Sequence, residues 1–379
     1  MTFARILCFC FGVKTILFVL SYFQIPPDVP HALCQWDCAY YRMIAVFSYA
    51  KANPYLYAFF PGFPFLYFCA QQVAQSLQPL FNFFGDPEFF ADLLIVFVNI
   101  CLSSFGFAFL YKWLLVIFEN KKNLAISVVI LMMVDRYTLW SIIPYTESLF
   151  FALFMASLYW GRKEDFRSKF LAMFCAGLAS GVRVVGFTRG LGWIFEEAKE
   201  LLQNRTLTFQ KISKVALLGL LSFLGIFSFM LFQYVDSGSF LSFIEAQQHW
   251  GRQAQAAGLL SSLFSLIRAF YYPTVPCLLF SLWAFYGLKQ TLLLSERVCF
   301  FLMYAIPLTT SSGAATRFFS LIPLGYIAVV YFYSQITTTQ RSLKWATKVI
   351  FLVHIITELG WQITLSQKYF KGEFFKWIG

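Results

Sequence analysis

Charge is what this sequence has least of. Lys, Arg, Asp and Glu make up 12% of its 379 residues, about half the roughly 25% of an ordinary soluble domain. Apolar residues reach 59%, with 49 Phe among them. So few charges cannot cover that much apolar surface in water. Histidine is scarcer still. His31, His249 and His354 show no ligand spacing, so neither a protein-built metal site nor a cofactor is expected. The nine cysteines lie mainly inside apolar runs, where a thiol acts as a small hydrophobe. Only Cys34 and Cys38 share a loop, and their spacing suits helix neighbours more readily than a disulfide. Repeats, low-complexity tracts and domain-sized soluble stretches are missing. Disorder, nucleic-acid binding and a secreted disulfide scaffold are thereby excluded, and an integral membrane protein remains.

What is there reads as one polytopic unit over 1–379, all-α, with about ten spans of about 20 apolar residues or slightly fewer. The first run, Phe3 to Gln24, is broken only by Lys14 and has no cleavage motif, so a retained helix is expected. Residues 25–90 form a first outer loop rich in proline. In it Trp36, Tyr40, Met43, Ile44 and Phe47 share a helical face, as in a helix lying in the interface. Residues 59–84 carry Gln71, Gln72, Gln75 and Gln78, too polar for a lipid-facing span, and read as a second interface helix. A long run to Phe118 follows. Further spans fall at 123–134, 147–161, 170–186, 215–235, 263–287, 297–312, 318–334 and 346–366, with a shorter helix at 187–202 returning through the membrane's edge. Seventeen of the 29 Lys and Arg fall on the cytosolic side if the N-terminus is cytosolic, which fits the positive-inside rule. The net charge of +11 then serves orientation, lipid head groups or an anionic substrate.

The sharpest segment is Gln35-Trp36-Asp37-Cys38-Ala39-Tyr40-Tyr41-Arg42-Met43-Ile44-Ala45, with Ala58-Phe59-Phe60-Pro61-Gly62-Phe63-Pro64 downstream. Here the chain resembles the PIG-V family, mannosyltransferases that add the second mannose of the glycosylphosphatidylinositol (GPI) anchor. The resemblance continues at Pro144-Tyr145-Thr146-Glu147-Ser148-Leu149-Phe150 and at Gly177-Leu178-Ala179-Ser180-Gly181-Val182-Arg183. It is strong over roughly the first half of the chain and thin afterwards. It implies a GT-C-like bundle with juxtamembrane amphipathic helices in the first outer loop, working on a dolichyl- or polyprenyl-phosphate mannose donor and a glycolipid acceptor. It further implies Asp37 as catalytic carboxylate and a multi-pass place in the endoplasmic reticulum membrane, or the plasma membrane of a prokaryote. Family members carry a Tyr-Trp-Asn-type and a Pro-Asn-Phe segment where this chain has Gln248-His249-Trp250-Gly251-Arg252 and Tyr272-Pro273-Thr274-Val275-Pro276. The acceptor therefore stays open between a GPI precursor, with an α-1,6 bond, and another lipid or glycan. Room is left for a small membrane subunit.

The residues agree with that chemistry without naming the sugar. Displacing a phosphate from a sugar carbon needs a base for the incoming hydroxyl and cations for the departing phosphate. Asp37 is the candidate base. Arg42, Arg183 and Arg317 are candidates for the donor phosphate, since Arg grips phosphate as a planar fork. Trp36, Tyr40, Tyr41, Glu147, His249, Trp250 and Arg252 are candidates for substrate binding. Structural readings stand beside these. Asp37 also suits a helix N-cap, with Trp36 and Tyr41 as its hydrophobic staple. Glu147 also suits a helix N-terminus, Arg183 a snorkelling anchor, and Asp135-Arg136 a surface ion pair of little worth. A transporter would be equally polytopic, but it should show paired broken helices or several mid-span charges. Lys14 alone is clearly mid-span.

Overall fold

A computed structural model gives the architecture. It describes residues 2–28, 32–49, 53–79, 86–205, 208–250, 282, 286–288, 290–308, 319–339 and 344–373, and everything below concerns these. They are helical throughout, without strands. The helices in chain order are α1 (Phe3–Tyr22), α2 (Asp37–Phe47), α3 (Gly62–Leu77), α4 (Pro87–Ile117), α5 (Lys122–Val134), α6 (Glu147–Gly161), α7 (Phe166–Ser180) and α8 (Thr188–Gln203). They continue with α9 (Phe209–Ser222), α10 (Leu224–Ser237), α11 (Ser242–His249), α12 (Leu294–Leu308), α13 (Leu324–Thr339) and α14 (Lys344–Phe370). Short 3₁₀ turns lie at Pro54–Ala58, Arg136–Ser141 and Val184–Phe187.

Three helices are long and apolar enough to cross a membrane: α1, α4 and α14 from Trp345 on. A fourth joins them if the bent pair α9–α10 counts as one span. This is a membrane protein. The span expected at 263–287 lies largely outside the described residues.

Helix α4 is the central post. Asp86 caps it by accepting from the Glu88 amide at 2.9 Å, and Pro87 occupies its first position, where a missing N–H costs nothing. Its 31 residues span roughly 46 Å at 1.5 Å per residue, more than a hydrocarbon core of about 30 Å. It packs against α1, α3 and α6, and α6 against α7. Trp113, Phe107, Phe151 and Leu158 fill the seam, all essentially buried.

The region 215–235, expected as one span, is instead broken at Phe223, where α9 and α10 meet at 61°. The cause is close packing on α7. A Cβ on Gly225 would sit 2.2 Å from the Gly181 amide nitrogen and 2.5 Å from the Gly177 carbonyl. At that crossing the Ile226 amide donates to the Ser180 hydroxyl at 3.1 Å. Small residues let the two backbones touch, and α10 turns to follow that contact.

Candidate functional site

Helix α2 begins at Asp37, on a sharp corner. Trp36 holds φ at 49°, a left-handed backbone that costs a bulky residue on the order of 1–3 kcal/mol. Two sets of contacts hold the corner. The Gln35 amide donates to the Tyr369 hydroxyl at 3.1 Å, and that hydroxyl donates to the Gln35 carbonyl at 3.2 Å. The Trp36 ring meets Tyr369 edge-on at 5.2 Å. Cys34 and Cys38 are also joined in a disulfide, contrary to expectation. Cys34 precedes the helix, so the corner, rather than a helical turn, sets their Cα atoms 5.2 Å apart.

Asp37 is not the N-cap of α2, as its position before a helix suggested. The cap is Trp36, and Asp37 is the first helical residue. Its amide donates to the Tyr145 hydroxyl at 3.3 Å. Tyr145 is buried, and its ring meets Tyr41 edge-on at 6.2 Å. The loop carrying Tyr145 is pinned from inside the membrane. The Asn99 side-chain amide donates to the carbonyls of Ile143 and, at 3.3 Å, of Tyr145. Lys14, the mid-span cation, donates to the Ser141 hydroxyl at 2.7 Å. It is consumed as an anchor.

Two residues beyond Tyr145, Glu147 opens α6. Its carboxylate accepts from Arg183 at 2.9 Å, with 0% and 9% of the two side chains exposed. Arg183 is thus a buried ion-pair partner rather than a snorkelling anchor. The second half of the first-loop motif reaches the same place. The Gly62 amide donates to the Gly181 carbonyl at 2.9 Å, and a Cβ on Gly62 would meet the Val182 side chain at 2.8 Å. Four sequence segments therefore converge on one end of the bundle: Gln35–Ala45, Phe59–Pro64, Pro144–Phe150 and Gly177–Arg183.

The aromatic candidates join them. Tyr40, one turn after Asp37, stacks on Phe59 at 5.2 Å and meets Trp250 edge-on at 5.1 Å. Trp250 also donates to the Tyr55 carbonyl at 3.2 Å. Tyr41 is buried against Phe59, Phe63 and Tyr145. His249 ends α11 beside Trp250 and is exposed. Arg42 bonds the Glu88 carboxylate at 2.9 Å and lies 3.9 Å from Asp92, so it is already paired with Glu88. Arg252, Arg317 and the segment at Tyr272 lie outside the described residues.

Two corrections concern charges that sequence alone could not pair. Arg136 does not bond Asp135 but the Glu358 carboxylate, through its Nε at 2.8 Å and a terminal nitrogen. That pair is largely buried, with side-chain exposures of 17% and 8%. Asp135 caps the adjoining turn by accepting from the Tyr137 amide at 2.9 Å. Burial, with Glu358 nearby, pushes its carboxyl up to about 7. Glu358 is also a second charge in the middle of a long apolar helix, Lys344–Phe370, a signal that the sequence itself carries.

The one group of potential metal ligands found among the described residues is Cys34, Cys38 and Asp92. Its sulfurs are joined in the disulfide, leaving no thiolate to donate.

No protein-family model matches the chain, and no curated protein does. Its architecture is similar to a crystal structure of the Archaeoglobus fulgidus oligosaccharyltransferase in complex with Zn and sulfate. The TM-score is 0.52 at 12% identity, covering 96% of this chain and 53% of that one. The likeness is one of fold. A second structure of that enzyme, tethered to an acceptor peptide, superposes with a TM-score of 0.45 at 12% identity, covering 97% and 54%. The chain thus spans about half the length of the oligosaccharyltransferase it matches.

Proposed function

We propose that this chain is a membrane glycosyltransferase that moves mannose from a dolichyl- or polyprenyl-phosphate donor to a glycolipid acceptor. The observation that supports it best is the convergence of Asp37, Tyr145, Glu147 and Arg183, from three distant segments, at one end of a GT-C-type bundle. In this reading the Asp37 carboxylate takes the proton of an acceptor hydroxyl. The hydroxyl oxygen forms a bond to the sugar's anomeric carbon, and the bond to phosphate oxygen breaks, its electron pair leaving with the lipid phosphate. Attack opposite the leaving group converts a β-linked donor into an α-mannoside. Arg183, positioned by Glu147, would lie against the phosphate, with Arg317 as a further cation and Arg42 joining it by exchanging Glu88 for the phosphate. Trp36, Tyr40, Tyr41, His249, Trp250 and Arg252 would line the sugars.

By the resemblance, the bond is α-1,6 on a GPI precursor, formed at the luminal face of the endoplasmic reticulum by a chain of about ten spans. A prokaryotic relative with another acceptor is the alternative. A transporter is disfavoured, because the mid-helix charges Lys14 and Glu358 are bound to Ser141 and Arg136. The test is transfer of radiolabelled mannose from polyprenyl-phosphate mannose into lipid, in membranes with the wild-type or the Asp37→Asn protein. A rate cut by about 10²–10⁴ in the variant is expected of a lost general base. Equal transfer by both would refute the mechanism.

A further inference from the structure

Arg189, the second residue of α8, is 0% exposed. None of its three guanidinium nitrogens has a hydrogen-bond partner. The ion pairs among the described residues leave it out. That result covers every carboxylate side chain of the protein, because all 18 Asp and Glu are among the described residues. A buried charge is costly unless it is paired, and arginine, unlike lysine, does not escape by giving up its proton.

The carboxylates nearest in the fold are already engaged. Thr188 meets Cys299 of α12 at 3.3 Å, one turn beyond Glu296. Glu296 accepts from the Arg162 Nε at 2.7 Å and from a terminal nitrogen of the same side chain. It also accepts from the Trp113 indole at 2.8 Å and the Leu293 amide at 3.0 Å. A carboxylate offers about four lone-pair sites, so Glu296 is saturated. Glu196, two turns along α8, accepts from the Leu294 amide at 3.0 Å. Arg162 and Arg189 thus share a region with one buried carboxylate, and one positive charge is left over. Lys169, donating to the Gly161 carbonyl at 3.1 Å, adds to that excess.

Small groups surround the free guanidinium. A Cβ on Gly161, the last residue of α6, would collide with a terminal nitrogen of Arg189. One turn earlier on α6, the Ser157 hydroxyl is buried without a partner. The Ser295 hydroxyl on α12 is likewise unpaired, and the Ser295 backbone lies against Gly192 of α8.

We propose that Arg189 binds a monovalent anion of halide size, chloride, enclosed between α6, α8 and α12. The surplus of one positive charge sets the valence. The complete burial of Arg189 sets the size, since a lipid head group or a sugar phosphate needs an open mouth. Glu147 lies at the other end of α6, so this site stands or falls apart from the glycosyltransferase reading.

The experiment uses the full chain in lipid nanodiscs, exchanged into sodium gluconate and titrated with sodium chloride, bromide or sulfate at constant ionic strength. Thermal unfolding and the line width of the chloride NMR signal are read together. Chloride and bromide should raise the unfolding temperature saturably, by about 2 °C or more at roughly 100-fold above half-saturation. Sulfate should not. Arg189→Gln should abolish both the rise and the saturable line broadening. Arg189→Lys keeps the charge but loses the planar fork, and should raise the half-saturating concentration at least ~10-fold, the scale of one charge-assisted hydrogen bond. It serves where the Gln variant fails to accumulate. Equal unfolding in chloride and gluconate without saturable broadening would overturn the assignment. So would a response to sulfate alone, or an unchanged chloride response in either variant.

Discussion

Glu147 and Arg183 lie 36 residues apart and meet at 2.9 Å inside the bundle, both nearly sealed from solvent. Neither charge is cheap to bury alone. Each opens or follows a helix end that carries a motif, so the pair clamps the Tyr145 loop to the end of α7. Removing one partner leaves the other desolvated, a loss of about 3–5 kcal/mol. Glu147→Gln and Arg183→Gln should therefore each lower the unfolding temperature sharply. The double variant should lose less than the sum of the two, as contacting residues do. Thermal unfolding of the four proteins in one detergent measures this, and additive losses would mean the ion pair is not what stabilises the region.

Asp37 gives a different pattern, because it is the first residue of α2 and not its cap. An Ala there forfeits the favourable placement of a carboxylate near the positive end of the helix, about 0.3–1 kcal/mol. It would not incur the loss of a capping hydrogen bond. Asp37→Ala and Asp37→Asn should thus unfold within a few degrees of wild type, while both should lose the proposed mannose transfer. A variant that is both inactive and grossly unstable would point to a structural role.

The Asp135 carboxyl is held up to about 7 from an ordinary 3.8. Between those values the folded protein keeps a proton that the unfolded chain has released, so this group's contribution to stability falls as pH rises through that window. Asn keeps the acceptor oxygen for the Tyr137 amide without the charge. Asp135→Asn should match wild type near pH 4 and exceed it at pH 8. Unfolding temperatures measured across that range would contradict the assignment if the gap did not widen with pH.

Backbone contact at the α7–α10 crossing predicts a sharp response to one methyl group. Gly225→Ala would place its Cβ against the Gly181 backbone at 2.2 Å, and overpacking of this kind costs about 1–3 kcal/mol. Gly12→Ala is the control, since nothing lies within 4 Å of its Cβ position. Expression and unfolding temperature should fall for Gly225→Ala alone.

Much of this protein follows from local sequence. Scarce charge dictates a membrane, and apolar period and length delimit α5, α6 and α8 to within a residue or so. The helical face from Trp36 to Phe47 delimits α2, because neighbours on a helix are set by spacing along the chain. The tertiary structure decided everything that depends on which distant segments touch. Lys14 reaches Ser141 across 127 residues and Arg136 reaches Glu358 across 222. The corner at Trp36 turned a helix-like cysteine spacing into a disulfide. Gly225, ordinary in a hydropathy profile, broke a span by meeting Gly181. A buried charge must find a partner, but the sequence does not say which one. That choice belongs to the helix packing, which brings the partner within reach.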